Sequence, residues 1–331
     1  MAIAVIPIKI LDLGLFESGE GKLAANRLAG KYMSREIDWR TIVSGTVAFA
    51  GLVAVYALGS QLDALWQKAL LGMTVQTWLV LFCFNISHEV GHDLIFRRRP
   101  QYDRLNKVFG YFMATPTLLP YHAFRETHLD HHRNVNDPER DPNHWIVRGS
   151  LPFVIFKIMT VLVGDHIALA RYSFRRRDLK IARHYIAFWI GSVALAVALG
   201  MTAGWWNLLF FWLIPAWMNY SLVFTGVAVI PHRQSPDAPE KQIMKIALLP
   251  QGLQQISTVL HASHNYHLLH HLYPRVASYH YPALAKELYA LQEDPSLLDG
   301  RQAENPFADR AAAAGRIAGA ATGEDRIYAA Q

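Results

Sequence analysis

The chain is poor in cysteine and in charge. Cys83 is the one cysteine in 331 residues, which excludes an internal disulfide, a multi-thiolate zinc knuckle and a four-cysteine iron–sulfur cluster. Charged residues make up 18% of the sequence against 52% hydrophobic residues, and the mean hydropathy is +0.12. That balance is too apolar for an ordinary soluble domain. No Gly-rich nucleotide fingerprint follows a strand pattern, and no fused haem or ferredoxin module is evident. No internal repeat or long linker divides the chain, and residues 1–10 lack the basic start and small-residue cleavage site of a signal peptide.

Long apolar runs stand where charge is missing. Residues 41–60, 68–87, 186–203 and 205–230 are long enough to cross a hydrocarbon core with few or no charges. They predict four crossings paired as two hairpins, with Trp66, Trp205 and Trp206 at headgroup level near the span ends. Arg97, Arg98, Arg99, Arg104 and Lys107 follow the second run, and Arg171, Arg175, Arg176, Arg177, Lys180 and Arg183 precede the third. Both flanks are therefore expected on the cytoplasmic side. Residues 151–170 are apolar but contain Lys157, Asp165 and His166, and one crossing there would place the Arg175–Arg177 block outside. They are read as lying in the interface. Residues 108–119 are too short to span and are interrupted by Pro116.

The expected fold class is an all-α integral membrane protein, with four transmembrane helices as two hairpins, interfacial helices and a cytoplasmic histidine-rich cap. Residues 1–40 form a cytoplasmic N-terminal segment, 41–290 the membrane domain and 291–331 a tail whose stretch 311–321 is rich in Ala and Gly. The net charge of +6 first explains topology and attraction to anionic lipid, and second the docking of an acidic protein. Nucleic-acid binding has little support, because the basic runs abut membrane segments.

Sixteen histidines are present, and three clusters hold half of them: His88-Glu89-Val90-Gly91-His92, His128-Leu129-Asp130-His131-His132 and His267-Leu268-Leu269-His270-His271. Within each, the first histidine has a partner at i+3 or i+4, on or near one helix face. Metal binding is the reading that explains all three. A single catalytic zinc takes three protein ligands and keeps one position open, so eight histidines are too many for it. Two ions with open positions use them naturally. Imidazole suits iron, zinc, copper and nickel alike, so residue type does not name the metal. Two adjacent irons sharing electrons to activate dioxygen would make oxidation of an unactivated C–H bond reasonable, and the membrane setting points to a lipid.

The ordered pattern HxxxH, HxxHH, HxxHH, with a hydrophobic hairpin between the second and third boxes, resembles the integral-membrane fatty acid desaturase and hydroxylase superfamily over about residues 41–281. The phrases His131-His132-Arg133-Asn134, Asp137-Pro138, Asp141-Pro142 and Asn265-Tyr266-His267-Leu268-Leu269-His270-His271-Leu272-Tyr273-Pro274 look like the branch of bacterial desaturases and desaturase-like β-carotene hydroxylases. The resemblance implies a non-haem di-iron centre at the cytoplasmic membrane surface, in a bacterial inner membrane, consuming dioxygen and externally supplied electrons. It implies metal ligation by His88, His92, His128, His131, His132, His267, His270 and His271, and by a further residue between the fourth crossing and the last box, for which His232 is the candidate. A separate ferredoxin or cytochrome with its reductase is the implied electron donor.

Glu89, Asp93 and Asp130 are candidates to orient imidazoles through their free N–H groups, and His264 is a candidate ligand or outer donor. His261 and His122 are read as hydrogen-bonded residues, and His144, His166, His184 and His280 as ordinary interfacial or loop residues. Asp137, Glu139 and Asp141 lie among prolines and are read as turn formers. Asn219 and Tyr220 are polar residues inside the fourth run, facing either the substrate cavity or a neighbouring helix.

Fatty-acyl desaturation or hydroxylation is the favoured function, with carotenoid ring hydroxylation as the close alternative. A membrane zinc protease is the rival from another class, because residues 88–92 spell HExxH, with Glu89 as general base and Leu298-Asp299-Gly300 as a distant carboxylate. It leaves both HxxHH boxes unexplained. A metal transporter would want ionisable residues within the crossings, whereas these histidines gather at the ends of the runs.

Overall fold

The structure is a computed structural model and describes residues 19–34, 36–97, 99–175, 178–233 and 251–293. Among the described residues all regular structure is helical. Helix α1 is Gly19–Lys31. Of the described residues, it forms one compact unit with 287–293, within which Lys31 Nζ pairs with Glu287 at 3.0 Å. The described residues between Tyr32 and Lys286 form the second unit, which contains all three histidine clusters. Arg98, Arg176, Arg177, residues 298–300 and the tail stretch 311–321 lie outside the described residues.

Among the described residues, four helices are long and apolar enough to cross a membrane: α2 (Trp39–Ser60), α3 (Leu65–Gly91), and two further along the chain, Leu179–Ala203 and Trp205–His232. All four expected runs are present, and the chain is a membrane protein. Large apolar side chains such as Val43, Val47, Ile190, Val193 and Met201 point outward at exposures of 56–76%, as lipid-facing groups do, and Trp66, Trp205 and Trp206 are exposed at span ends. The helices outrun the apolar segments. The second reaches Gly91 and the fourth His232, and at 1.5 Å per residue a 27-residue helix is about 40 Å long, beyond a hydrocarbon core of about 30 Å. The surplus turn carries histidine.

Two glycines set the hairpins. Gly204 joins the third and fourth spans at φ +96°, a backbone region that L side chains rarely adopt. Gly72 lies in a π-helical stretch, Gly72–Gln76, and a Cβ there would collide with the carbonyl oxygen of Phe210, itself in the π-helical Leu209–Leu213. The two hairpins touch backbone to backbone at that point. Buried Lys68 pins their tips, donating to Asn207 Oδ1 at 2.6 Å and to the Gly59 carbonyl at 3.1 Å. The histidine-bearing ends lie at the other end of both hairpins.

Between the hairpins come α4 (Asp103–Ala114), which ends in a tight turn Thr115–Thr117 containing Pro116, then α5 (Tyr121–Arg133) with the second histidine cluster. Next are α6 (Leu151–Met159) and α7 (Val161–Arg175), bent by 85° at Thr160. Residues 151–170 are thus not one straight crossing. The broken end of α6 is capped from the fourth span, where Trp217 Nε1 donates to the Met159 carbonyl at 2.9 Å and Ser221 Oγ to that of Ile158 at 3.2 Å, which satisfies carbonyls the break leaves open. The third and fourth spans are α8 and α9, followed by α10 (Gln251–Leu260), α11 (His267–Leu272) and α12 (Tyr281–Glu293).

Candidate metal centre

Four elements bring the histidines together. His88 and His92 lie at the C-terminal end of α3, His128, His131 and His132 on α5, His232 at the end of α9, and His267, His270 and His271 on the short α11. The ring nitrogens form two sets. One nitrogen from each of His88, His92, His128 and His270 lies within 4.8 Å of the others, and the same holds for His131, His232, His267 and His271. His132 Nε2 joins the first set, 3.0 Å from His128 Nε2 and 2.9 Å from His270 Nε2. All nine sequence candidates therefore converge.

Helix geometry explains how one HxxHH box serves both sets. At about 100° per residue, positions i and i+4 diverge by about 40°, while i+3 falls about 60° to the other side. On α5 the i and i+4 pair, His128 and His132, faces the first set and His131 crosses to the second. On α11 the i and i+4 pair, His267 and His271, faces the second set and His270 crosses to the first. The two boxes are reciprocal, and the His132 and His271 rings stack at 4.1 Å between centroids where the sets meet.

The donor set fits a pair of cations. His128 Nε2 lies 2.8 Å from His92 Nε2, 3.0 Å from that of His132 and 3.4 Å from that of His270. A ring nitrogen carries one proton or one lone pair, so hydrogen bonding cannot satisfy all of these contacts. Burial, followed by the neighbouring imidazoles, holds His128, His132, His267, His270 and His271 well below the ordinary histidine range. They are neutral at pH 7 and present lone pairs, which is the ligating form.

Outer contacts aim the rings. His131 Nδ1 lies 2.8 Å from Asp141 Oδ1, and Asp141 also accepts from the backbone N–H groups of Asn136 at 2.9 Å and Asn143 at 2.8 Å. Burial alone would raise the Asp141 carboxyl, but the hydrogen bond and charge of His131 and the two amides outweigh it and hold it below the ordinary range. His270 Nδ1 lies 3.2 Å from Tyr281 Oη. With Nε2 free for a metal, Nδ1–H is the donor in both contacts. The sequence reading missed Asp141 and Tyr281, taking the first for a turn former. No periodicity marks either, because the loop after α5 doubles back to His131.

The remaining candidates are placed as follows. His264 Nε2 lies 2.9 Å from His88 Nδ1, and burial pushes His264 down to about 4. A Glu89 oxygen, His88 and His264 form a third group within 4.8 Å, while Glu89 Oε1 accepts from the Ser278 N–H at 3.2 Å. Asp130 accepts from Arg133 Nη1 at 2.7 Å and Tyr172 Oη at 2.5 Å. Asp93 accepts from Asn106 Nδ2 and Arg125 Nη2, each at 2.9 Å. His261 Nδ1 lies 2.9 Å from the Ser257 carbonyl, and His122 packs edge-on to His184 at 4.8 Å. His166 differs from expectation: it is buried at 9% exposure, 4.7 Å from the Trp189 ring, because the bend at Thr160 turns α7 against α8 and α9.

A narrow cleft of about 70 Å³ borders both sets, with His88 and His128 of one and His131, His232 and His267 of the other in its wall. Phe84, Leu119, Phe124 and Val223 make its lining apolar.

The family model described as fatty acid desaturase matches residues 64–298. The chain belongs to the fatty acid desaturase family. Among its relatives are the sn-2 acyl-lipid omega-3 desaturase (ferredoxin) of Arabidopsis thaliana chloroplasts, 24% identical across 73% of this chain and 59% of that protein, and the chloroplastic omega-3 fatty acid desaturase of Brassica napus, 26% identical across 60% and 55%. The sn-1 oleoyl-lipid 12-desaturase of a Picosynechococcus species is 24% identical across 73% of each chain. The chain thus spans less than two thirds of the length of the first two.

Proposed function

We propose that this desaturase-family member is a dioxygen-dependent, non-haem di-iron oxidoreductase acting on a fatty-acyl chain of a membrane lipid. The carrying observation is that two histidine sets, supplied by four separate elements, border one apolar cleft. His88, His92, His128, His132 and His270 would hold one iron, and His131, His232, His267 and His271 the other. Bound there, two irons would supply the shared electrons with which dioxygen takes hydrogen from an unactivated C–H bond. The protein's part is positional: Asp141 fixes the His131 ring, Tyr281 fixes that of His270, and Phe84, Leu119, Phe124 and Val223 hold the chain and exclude water.

Desaturation is favoured over hydroxylation because the relatives are named as acyl-lipid desaturases, and for the same reason over carotenoid ring hydroxylation. A zinc protease is disfavoured because His88 and His92 share their set with His128 and His270. In this reading residues 41–290 are the catalytic domain, the histidine ends face the cytoplasm of a bacterial inner membrane, and a separate ferredoxin or cytochrome with its reductase docks there. The Arabidopsis relative bears ferredoxin in its name.

The test is lipid mass spectrometry on a host making this protein with a ferredoxin and reductase, beside a His270→Ala control and metal analysis of both. The expected result is an oxygen-dependent unsaturated acyl product, about two irons per chain, and loss of product with reduced iron in the variant. A single zinc per chain, or a product formed without oxygen, overturns the reading.

A further inference from the structure

Away from the histidines, α5 and the 136–144 loop, the wall of the cleft is apolar except at Asp165, Asn219 and Tyr220. These residues are 5%, 1% and 3% exposed. Asn219 Oδ1 and Tyr220 Oη are buried with no hydrogen-bond partner, so the helix-to-helix bond that would explain two polar residues in a crossing is not what they make. Asp165 comes from α7, which packs on the stretch of α9 bearing Asn219 and Tyr220. Asn219 lies thirteen residues before His232 on the same helix, on the order of 20 Å along its axis. The polar patch is therefore near mid-span, where an unmet polar group is most costly.

The donor and acceptor inventory selects what would meet it. Asn219 Oδ1 and the Asp165 carboxylate accept hydrogen bonds, and the Tyr220 hydroxyl both donates and accepts. A hydrocarbon end meets none of them, and a carbonyl, which only accepts, can bond the Tyr220 hydroxyl or Asn219 Nδ2 but leaves Asn219 Oδ1 unmet. An alcohol donates to Asn219 or Asp165 while accepting from Tyr220.

We propose that the cleft takes a lipid chain bearing a hydroxyl group, seated among Asp165, Asn219 and Tyr220 and remote from the carbon presented to the histidines. The proposal deepens the oxidase reading and rests on it for the identity of the cleft as the lipid site. It makes these residues specificity determinants, because a site built to bond a hydroxyl discriminates against the analogue lacking it.

The experiment uses the full chain in lipid nanodiscs with a fluorescent fatty acid bound, displaced by either hexadecanoate or 16-hydroxyhexadecanoate. The hydroxy acid is expected to displace at about tenfold lower concentration, the effect of one or two well-made hydrogen bonds. Tyr220→Phe and Asn219→Leu should each shrink that preference to about threefold or less on the same scale, with iron per chain unchanged as the folding control. Equal displacement by the two acids, a preference unchanged in both variants, or displacement by neither acid overturns the proposal. Product analysis on the same samples separates the two ideas. A hydroxyl preference without any oxygen-dependent product sinks the oxidase reading alone, and oxidation of plain chains with no preference sinks this one alone.

Discussion

Asp141 Oδ1 stands 2.8 Å from His131 Nδ1, ten residues away in sequence, and two backbone amides hold the same carboxylate, that of Asn143 at Oδ1 and that of Asn136 at Oδ2. A carboxylate so held fixes both the tautomer and the plane of the ring, leaving Nε2 aimed at the second histidine set.

Asp141→Asn keeps the shape and removes the charge. Loss of such an outer contact lowers metal affinity by about 10–100-fold, so on the proposed di-iron reading the variant should lose about one iron of two in a chelator titration that leaves the parent loaded. Activity should fall with iron content. Iron retention equal to that of the parent would show that the Asp141 contact does not hold the metal.

A pH dependence follows from the buried imidazoles. His128, His132, His267, His270 and His271 are held well below the ordinary range by burial, so the folded chain resists protons that the unfolded chain accepts near pH 6.5. Above that pH both states are neutral and these groups add no pH dependence. As pH falls through it, the unfolded state gains protons first and the iron-free fold loses stability, by up to about 1.4 kcal/mol per group for each pH unit. The melting temperature of chelator-treated protein in detergent should be nearly flat from about pH 8 to about 7.5 and fall steeply by about pH 5.5, each bound being at least about one unit from the 6.5 reference. A flat profile to pH 5.5 contradicts the burial of these rings.

Much of this was legible in the sequence, and the parts that were not share a cause. Four spans followed from hydropathy, yet the apolar run ending near residue 87 understates a helix that continues to Gly91. Hydropathy reports lipid contact, and the helix goes on where the lipid stops. The clusters announced metal chemistry, and helix periodicity already contained the crossing of His131 and His270 to opposite sets. His232 was reached through family resemblance alone, since a lone histidine after an apolar run carries no signal of its own. Asp141 and Tyr281 were hidden because contacts reaching from a loop or a separate helix leave no period. The bend at Thr160 was hidden too, with no proline or glycine at the break; Trp217 and Ser221, nearly sixty residues or more away, cap it.

The contact between the hairpins gives the last prediction. At Gly72 a methyl group would strike the Phe210 carbonyl, and backbone cannot swing aside as a side chain can. At Gly191, mid-way along α8 and exposed toward lipid, an added Cβ meets nothing within 4 Å. Gly72→Ala should therefore cost about 1–3 kcal/mol through overpacking, whereas Gly191→Ala should gain about 0.5–1 kcal/mol from helix propensity. Thermal denaturation of both variants in one detergent checks the pair, and opposite shifts in melting temperature are expected. If Gly72→Ala melted at or above the parent, the two π-helical stretches would not be in backbone contact. The hairpins would then be held by Lys68 and side-chain packing alone, and the spacing between the α3 and α9 ends, which puts His88 and His232 in different histidine sets, would need another cause.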